Sequence, residues 1–208
     1  QKAISDRKSA RLMIQERDGA IKHLSVRDLV SALPANSLVI VNDTKVIPAR
    51  ILGVDPLIGK FEILLCEMIK QDAQKSVWTA IGKPLRKLRG DACIQAMDGS
   101  RIQVSVDERQ NADSPPLRVE MPFNFEGTLD WLNENAVVPL PPYIKRIEPA
   151  KAFLSEDRER YQTVYAQSHG SVAAPTAGLH FDEALLEEMR RADIKIVNVT
   201  LHVGLGTF

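Results

Sequence analysis

Two histidines stand where an imidazole could exchange a proton with a ligand. His180 closes the small-residue run Ala173-Ala174-Pro175-Thr176-Ala177-Gly178-Leu179 and directly precedes a helix start at Asp182. Small side chains let a ligand approach the backbone, and unpaired N–H groups at a helix start favour anionic or electron-rich atoms. His202 shares one face of an extended segment with Asn198 and Thr200, while Val199, Leu201 and Val203 take the other face. Imidazole gives or takes a proton near neutrality, so both are candidate acid–base groups. A plainer reading stays open for each. A Pro-Gly loop before a capped helix is usually a connection, a single histidine is more often a hydrogen-bonded structural residue, and a polar trio on a strand faces either solvent or a pocket.

Cations gather at Lys83, Arg86, Lys87 and Arg89, and again at Tyr143-Ile144-Lys145-Arg146, where an aromatic ring adjoins two charges. Such groups suit phosphates and a stacked base, or simply a solvated loop. Lys and Arg total 27 against 27 Asp and Glu, so no overall field steers the chain toward nucleic acid and any RNA contact must be local. The four histidines, His23, His169, His180 and His202, form no HxH or HExxH pattern, so no metal is expected. There is no GxSxG elbow, no Walker loop and no complete GxGxxG. Cys66 and Cys93 lack metal or disulfide spacing and read as buried strand residues in a reducing, cytoplasmic setting. No stretch approaches the ~20 apolar residues of a membrane span.

The elements that must position these residues fall into three textures. Asp18-Gly19 predicts a hairpin between residues 10–16 and 21–24, followed by a short helix capped by Ser25 with Asp28. Leu38 to Val41 is wholly apolar, which predicts a strand buried on both faces that delivers Asn42-Asp43-Thr44-Lys45 to a sheet end. From about 53 to 137 come short strands at 61–68, 76–81, 92–97, 101–106 and 117–121, with Asp98-Gly99 as a hairpin turn and a helix at Thr128 to Ala136. The last third predicts a helix opening at Ser155 and carrying Tyr161, Val164 and Tyr165 on one side, a helix from Asp182 with a Leu185/Leu186/Met189/Ala192 stripe, and a strand from Ile194 to Val203. The expected fold is mostly β with helices (α+β): a main β-barrel domain at 1–52 and 138–208, incomplete at both ends, interrupted by a smaller β domain at 53–137.

Read in order, Val41-Asn42-Asp43-Thr44-Lys45-Val46-Ile47-Pro48-Ala49-Arg50, Pro139-Leu140-Pro141-Pro142-Tyr143-Ile144, Tyr161-Gln162-Thr163-Val164-Tyr165, Ala173 to Phe181 and Thr200 to Phe208 closely resemble successive motifs of the queuosine-pathway S-adenosylmethionine:tRNA ribosyltransferase-isomerases. The resemblance implies a β-barrel with an inserted β domain, and a considerable C-terminal part of the family's length absent from this chain. It further implies transfer and isomerisation of the ribosyl group of S-adenosylmethionine onto 7-aminomethyl-7-deazaguanine at the tRNA wobble position, giving epoxyqueuosine with release of methionine and adenine. S-adenosylmethionine is then a co-substrate, no cofactor or metal is required, tRNA is the partner, and a cytoplasmic monomer is expected. On this resemblance His180, His202 and Thr176 are the catalytic expectations. Substrate contacts fall to Asn42, Lys45, Arg50, Tyr143, Tyr161, Gln162, Tyr165, Pro175, Gly178 and Thr200, and RNA contacts to Lys83, Arg86, Lys87, Arg89, Lys145 and Arg146.

Two rivals belong to other classes. A catalytically silent RNA-binding barrel would have no use for the intact Pro175-to-His180 segment, and an S-adenosylmethionine-dependent methyltransferase would need a glycine-rich turn in a repeating βα pattern that this sequence lacks.

Overall fold

The computed structural model describes residues 6–57, 59–85, 88, 90–106, 115–141, 144 and 151–204, the side chains of 151–154 excepted. It begins with the hairpin β1 (Arg11–Gln15) and β2 (Ile21–Ser25). The turn closes because Gly19 takes φ 87° and the Asp18 carboxylate accepts from the Ala20 N–H at 3.0 Å. Asp28 accepts from both the N–H and the hydroxyl of Ser25, at 2.9 and 2.8 Å, opening a 3-10 turn that runs into α1 (Leu29–Ala32).

Strands β3 (Leu38–Asn42) and β4 (Thr44–Val46) lead to a run of six antiparallel strands: β5 (Arg50–Asp55), β6 (Gly59–Gln71), β7 (Ser76–Lys83), β8 (Ala92–Ala96), β9 (Arg101–Val106) and β10 (Leu117–Met121). They pair in the order β10-β7-β6-β5-β8-β9, and β10 pairs back onto β9 to close a barrel. Closure leaves none of these strands as a bare edge. Alternation drives it: Ile51, Ile63, Leu65, Trp78, Ala80, Ile94, Ile102, Val104, Leu117, Val119 and Met121 are all buried in one cluster. Helix α2 (Phe125–Asn135) adds Trp131 and Leu132 to that cluster and is tied on by side chains, with Trp131 Nε1 donating to Asp98 Oδ2 at 2.7 Å and the Ser76 and Thr128 hydroxyls 2.9 Å apart. The fold is mostly β with few helices, and its closed barrel lies in the stretch read as the inserted β unit.

The outer stretches pair with each other. After α3 (Lys151–Arg160), β11 (Ser168–Ser171) joins β4 in parallel; after α4 (Glu183–Arg191), β12 (Lys195–Val199) joins β3 in parallel. Asp182 caps α4 by accepting from the Leu185 N–H at 2.7 Å, and Leu185 and Met189 pack with Val26, Val39 and Ile194 beneath β3 and β12. Among the described residues no helix is long and apolar enough to cross a membrane.

Several expectations need correction. Helix α3 ends at Arg160, with Ser155 inside it, so Tyr161 to Tyr165 are not helical: Tyr161 packs with Val46 and Ala174, and both ends of the Gln162 amide bond the Val46 backbone. Helix α2 starts at Phe125 rather than Thr128, because Asn124 caps it by accepting from Gly127 N–H at 2.9 Å. Strand β12 stops at Val199, and beyond it the chain is held mainly by side chains, with one backbone bond from the Val172 N–H to the Val203 carbonyl. Cys66 is buried but Cys93 is half-buried. Strand β3 is covered on one face only, leaving Leu38 57% and Ile40 62% exposed.

Candidate active site where the outer strands meet the barrel

The residues after β12 are held by polar groups at the junction of β3 and β4. Asn42 takes Leu201 from both sides, its Oδ1 accepting from the Leu201 N–H at 3.0 Å and its Nδ2 donating to the Leu201 carbonyl at 2.8 Å. Buried Asp43 accepts from the Thr200 hydroxyl at 2.7 Å, while its backbone carbonyl receives the Gln167 and Ser168 N–H groups. Fully buried Thr44 places its hydroxyl 2.8 Å from Nδ1 of His202. Ser171, also fully buried, accepts from the Val203 N–H at 2.9 Å and donates to the Ala173 carbonyl at 2.7 Å. The consecutive side chains of Asn42, Asp43 and Thr44 therefore fix residues 200–202, and Ser171 holds the Val203 backbone.

Gly170 supplies the floor under His202. Its φ is 143°, and a Cβ there would stand 2.9 to 3.1 Å from Cε1, Nε2 and Nδ1 of the imidazole. Beside them opens a cavity of about 470 Å³. Its lining combines apolar Met68 and Trp78 of the barrel and Phe125 of α2 with Glu67, His169 and His202. A register irregularity in β6 between Leu65 and Glu67 bends the barrel wall at this point. Burial, assisted by the Lys45 cation, holds His169 below the usual histidine range, and burial pushes the Cys66 thiol up to about 12. An apolar lining with a few polar groups is the usual form of a small-molecule site.

A second group forms around Thr176–His180, which is a 3-10 turn. Buried Gly178 lies against the Tyr165 hydroxyl and Thr163, and Tyr165 meets Phe181 edge-on with centroids 6.2 Å apart. Arg7 donates to the carbonyls of Gln162 and Leu179, at 3.0 and 3.4 Å, tying the turn to the segment before it. Pro175 is half-buried, while Thr176 and His180 are exposed.

The expected site residues thus fall into separate sets. Asn42, Thr200 and His202 come together, with Lys45 opposite His169 in the β4–β11 register. Tyr165, Pro175, Thr176, Gly178 and His180 share the second group, and among the described residues no hydrogen bond joins His180 to His202. Gln162 spends its amide on Val46, Tyr161 is 5% exposed, and Arg50 makes a two-fold contact with Glu62 at 2.8 and 2.8 Å on the barrel. Lys83 is exposed at the end of β7. Arg86, Lys87, Arg89, Tyr143, Lys145 and Arg146 lie outside the described residues. Residue-type reasoning passed over Asp43, Thr44, His169, Gly170 and Ser171. The apolar strand leading into Asn42-Asp43-Thr44 was a usable signal for the first two, since polar residues at a sheet end often face a site. No group of three or more potential metal ligands gathers among the described residues.

A family model described as "Queuosine biosynthesis protein" matches residues 1–208. The S-adenosylmethionine:tRNA ribosyltransferase-isomerase of Macrococcus caseolyticus is 38% identical over 210 residues, covering 100% of this chain and 57% of the relative. The protein of the same name from Dinoroseobacter shibae is 42% identical over 212 residues, covering 97% of this chain and 56% of its own. The Geobacter sulfurreducens protein of that name is 38% identical over 209 residues and is likewise 57% covered. The chain therefore spans a little over half the length of these curated relatives. A crystal structure of S-adenosylmethionine tRNA ribosyltransferase from Thermotoga maritima aligns with 98% of this chain and 54% of its own, at 20% identity and a TM-score of 0.33.

Proposed function

The chain belongs to the queuosine biosynthesis protein family along its whole length, and from that premise we propose that it forms the ligand-handling part of an S-adenosylmethionine:tRNA ribosyltransferase-isomerase. The reaction read from the sequence resemblance moves the ribosyl group of S-adenosylmethionine onto the aminomethyl substituent of 7-aminomethyl-7-deazaguanine in tRNA. Methionine and adenine depart, and the ribose is rearranged to the epoxycyclopentanediol of epoxyqueuosine. Such chemistry needs a group to take an acidic hydrogen beside the sulfonium, a donor to assist adenine departure, and a pocket that excludes water from reactive intermediates.

The observation that carries this reading is the cavity beside His202, lined by Phe125 and Trp78 together with an imidazole anchored by Thr44. Its volume of about 470 Å³ falls within the range of small-ligand sites. Partly exposed Phe125 offers a ring face for a purine, with buried Trp78 packed behind it, and His202 offers a polar atom in the same cavity. In the same reading His180 and Thr176 approach the ligand from the second group, with Tyr165, Pro175 and Gly178 shaping that side. Arg50 would meet a ligand carboxylate in competition with Glu62, which already takes its Nε and one terminal nitrogen. The cations Lys83, Arg86, Lys87, Arg89, Lys145 and Arg146 are assigned to tRNA phosphates, and Tyr143 to a base. S-adenosylmethionine serves as co-substrate in a cytoplasmic monomer, without a metal. The chain divides into an outer unit at 1–52 and 138–208 and an inserted β unit at 53–137, a division supported by the pairing of β3 with β12 and β4 with β11.

The test is a product assay. The complete protein, given S-adenosylmethionine and tRNA bearing the aminomethyl base, should release methionine and adenine together. S-adenosylhomocysteine would indicate methyl transfer instead, and tRNA binding without either product would leave a binding module.

A further inference from the structure

Thr44 is 0% exposed, and among the described residues its hydroxyl has a single hydrogen-bond partner, Nδ1 of His202 at 2.8 Å. That decides the direction of the bond. A hydroxyl proton buried without an acceptor bears its whole desolvation cost, whereas an oxygen lone pair left idle is the milder fault. The hydroxyl therefore donates, Nδ1 accepts, and the neutral ring carries its hydrogen on Nε2. Gly170 confines the same ring, since a Cβ at that position would lie 2.9 Å from Cε1 and 3.0 Å from Nε2. The chain on either side is held by Asn42 through Leu201 and by Ser171 through Val203. Nε2 is then the ring's remaining polar atom, in a residue that lines the cavity.

We propose that Thr44 is a positioning residue that fixes His202 as an Nε2–H hydrogen-bond donor toward the ligand, rather than as a base. This narrows the role given to His202 above and rests on that reading for the identity of the ligand. In chemical terms, the site offers a fixed neutral donor to an electron-rich ligand atom, such as a purine nitrogen or a ribose oxygen gaining charge as its bond breaks.

The measurement is ¹⁵N-detected NMR of the His202 ring in the labelled chain, compared between the parent, Thr44→Ser and Thr44→Val. The parent and Thr44→Ser should show Nδ1 unprotonated and Nε2 protonated, while Thr44→Val should show the other tautomer alongside and a broadened ring signal. In the complete protein Thr44→Val should lower kcat for adenine release by ~10- to 100-fold with KM for S-adenosylmethionine little changed, and Thr44→Ser should restore it, as expected when a group is present but misoriented. A parent ring protonated at Nδ1 overturns the proposal, even if Thr44→Val fails to fold. So does a tautomer shift in Thr44→Val that leaves kcat unmoved. If the parent protein releases no adenine or methionine, the functional reading fails, while the ring's tautomer still decides the Thr44 assignment by itself.

Discussion

Gly178 and the Tyr165 hydroxyl approach so closely that a Cβ added at Gly178 would stand 2.2 Å from the phenolic oxygen and 2.8 Å from Cγ2 of Thr163. The turn that ends in His180 is thereby pressed onto the segment that follows α3, and glycine is required for lack of room. Gly178→Ala should destabilise by about 1–3 kcal/mol, because two side chains must shift in a packed site. For a chain of this size that lowers Tm by roughly 2–12 °C in a thermal scan. Adding Tyr165→Phe removes the nearer clash and should recover part of the loss. Additive losses in the double variant would show that the two residues do not meet in this way.

A pH effect follows from His169, whose proton affinity is lowered by partial burial and by Lys45. The folded state then binds fewer protons than the unfolded state once the pH drops below about 6.5, the ordinary histidine value. Stability present above that pH is lost as the pH falls through the lowered folded value. Urea midpoints at pH 7.5 and pH 5 should separate more for the parent than for His169→Gln, and Lys45→Met should lessen the parent's separation. An equal or larger separation in His169→Gln would remove His169 as the source.

Local chemistry made some of the fold legible and geometry hid the rest. Asp18-Gly19 and Asp98-Gly99 marked their turns because each glycine takes a positive φ, 87° and 89°. The α4 cap and stripe were readable because Asp182, Leu185, Leu186 and Met189 lie within a few turns of one helix. By contrast, Thr44 and His202 are 158 residues apart, and no periodicity encodes a contact at that range. Tyr161 to Tyr165 look helical by spacing, yet hydrogen bonds from Gln162 to the distant Val46 outweigh local preference. Closure of the barrel was equally hidden, since pairing β10 with β9 as well as β7 is a property of the whole sheet.

The outer face of the β3–β12 pair was half legible and yields its own test. Leu38, Ile40, Val197, Val199 and Leu201 are between 37% and 65% exposed there. Parallel strands are normally covered on both faces, so this bare apolar face should promote self-association. Ile40→Thr with Val197→Thr keeps strand-forming residues while making the face polar. Light scattering should show less aggregation at a given temperature, with Tm moved by no more than about 2 °C, as for surface substitutions. A large loss of Tm would mean that these side chains support the fold itself.

The two cysteines should differ in reactivity. Burial raises the Cys66 thiol to about 12, so at pH 8 very little of it is thiolate, the reactive form. Cys93 is half-buried on β8. Alkylation under native conditions, followed by mass spectrometry, should modify Cys93 well before Cys66, and both should react once the chain is unfolded. Early labelling of Cys66 would show that the cavity beside it opens readily to solvent.

The last prediction concerns the histidines themselves. His202 is anchored by Thr44, floored by Gly170 and lines the cavity, whereas His180 is an exposed residue at the end of a 3-10 turn. Removing a fixed hydrogen-bond donor costs about 10²–10³ in rate, and removing a proton-transfer group about 10²–10⁴. In the complete protein His202→Ala should therefore slow the joint release of adenine and methionine by at least about a hundredfold. Removing the ring also leaves the buried Thr44 hydroxyl without its partner, so the variant should lose about 1–3 kcal/mol of stability, and rates are to be compared well below its Tm. His180→Ala should also slow the reaction while leaving tRNA binding near the parent value. His202→Gln, which keeps a donor but not the ring, should retain more activity than His202→Ala if donation is the role of Nε2. Equal rates for parent and His202→Ala would move the chemistry away from this cavity, and a defect at His180 alone would place it beside the Gly178 turn.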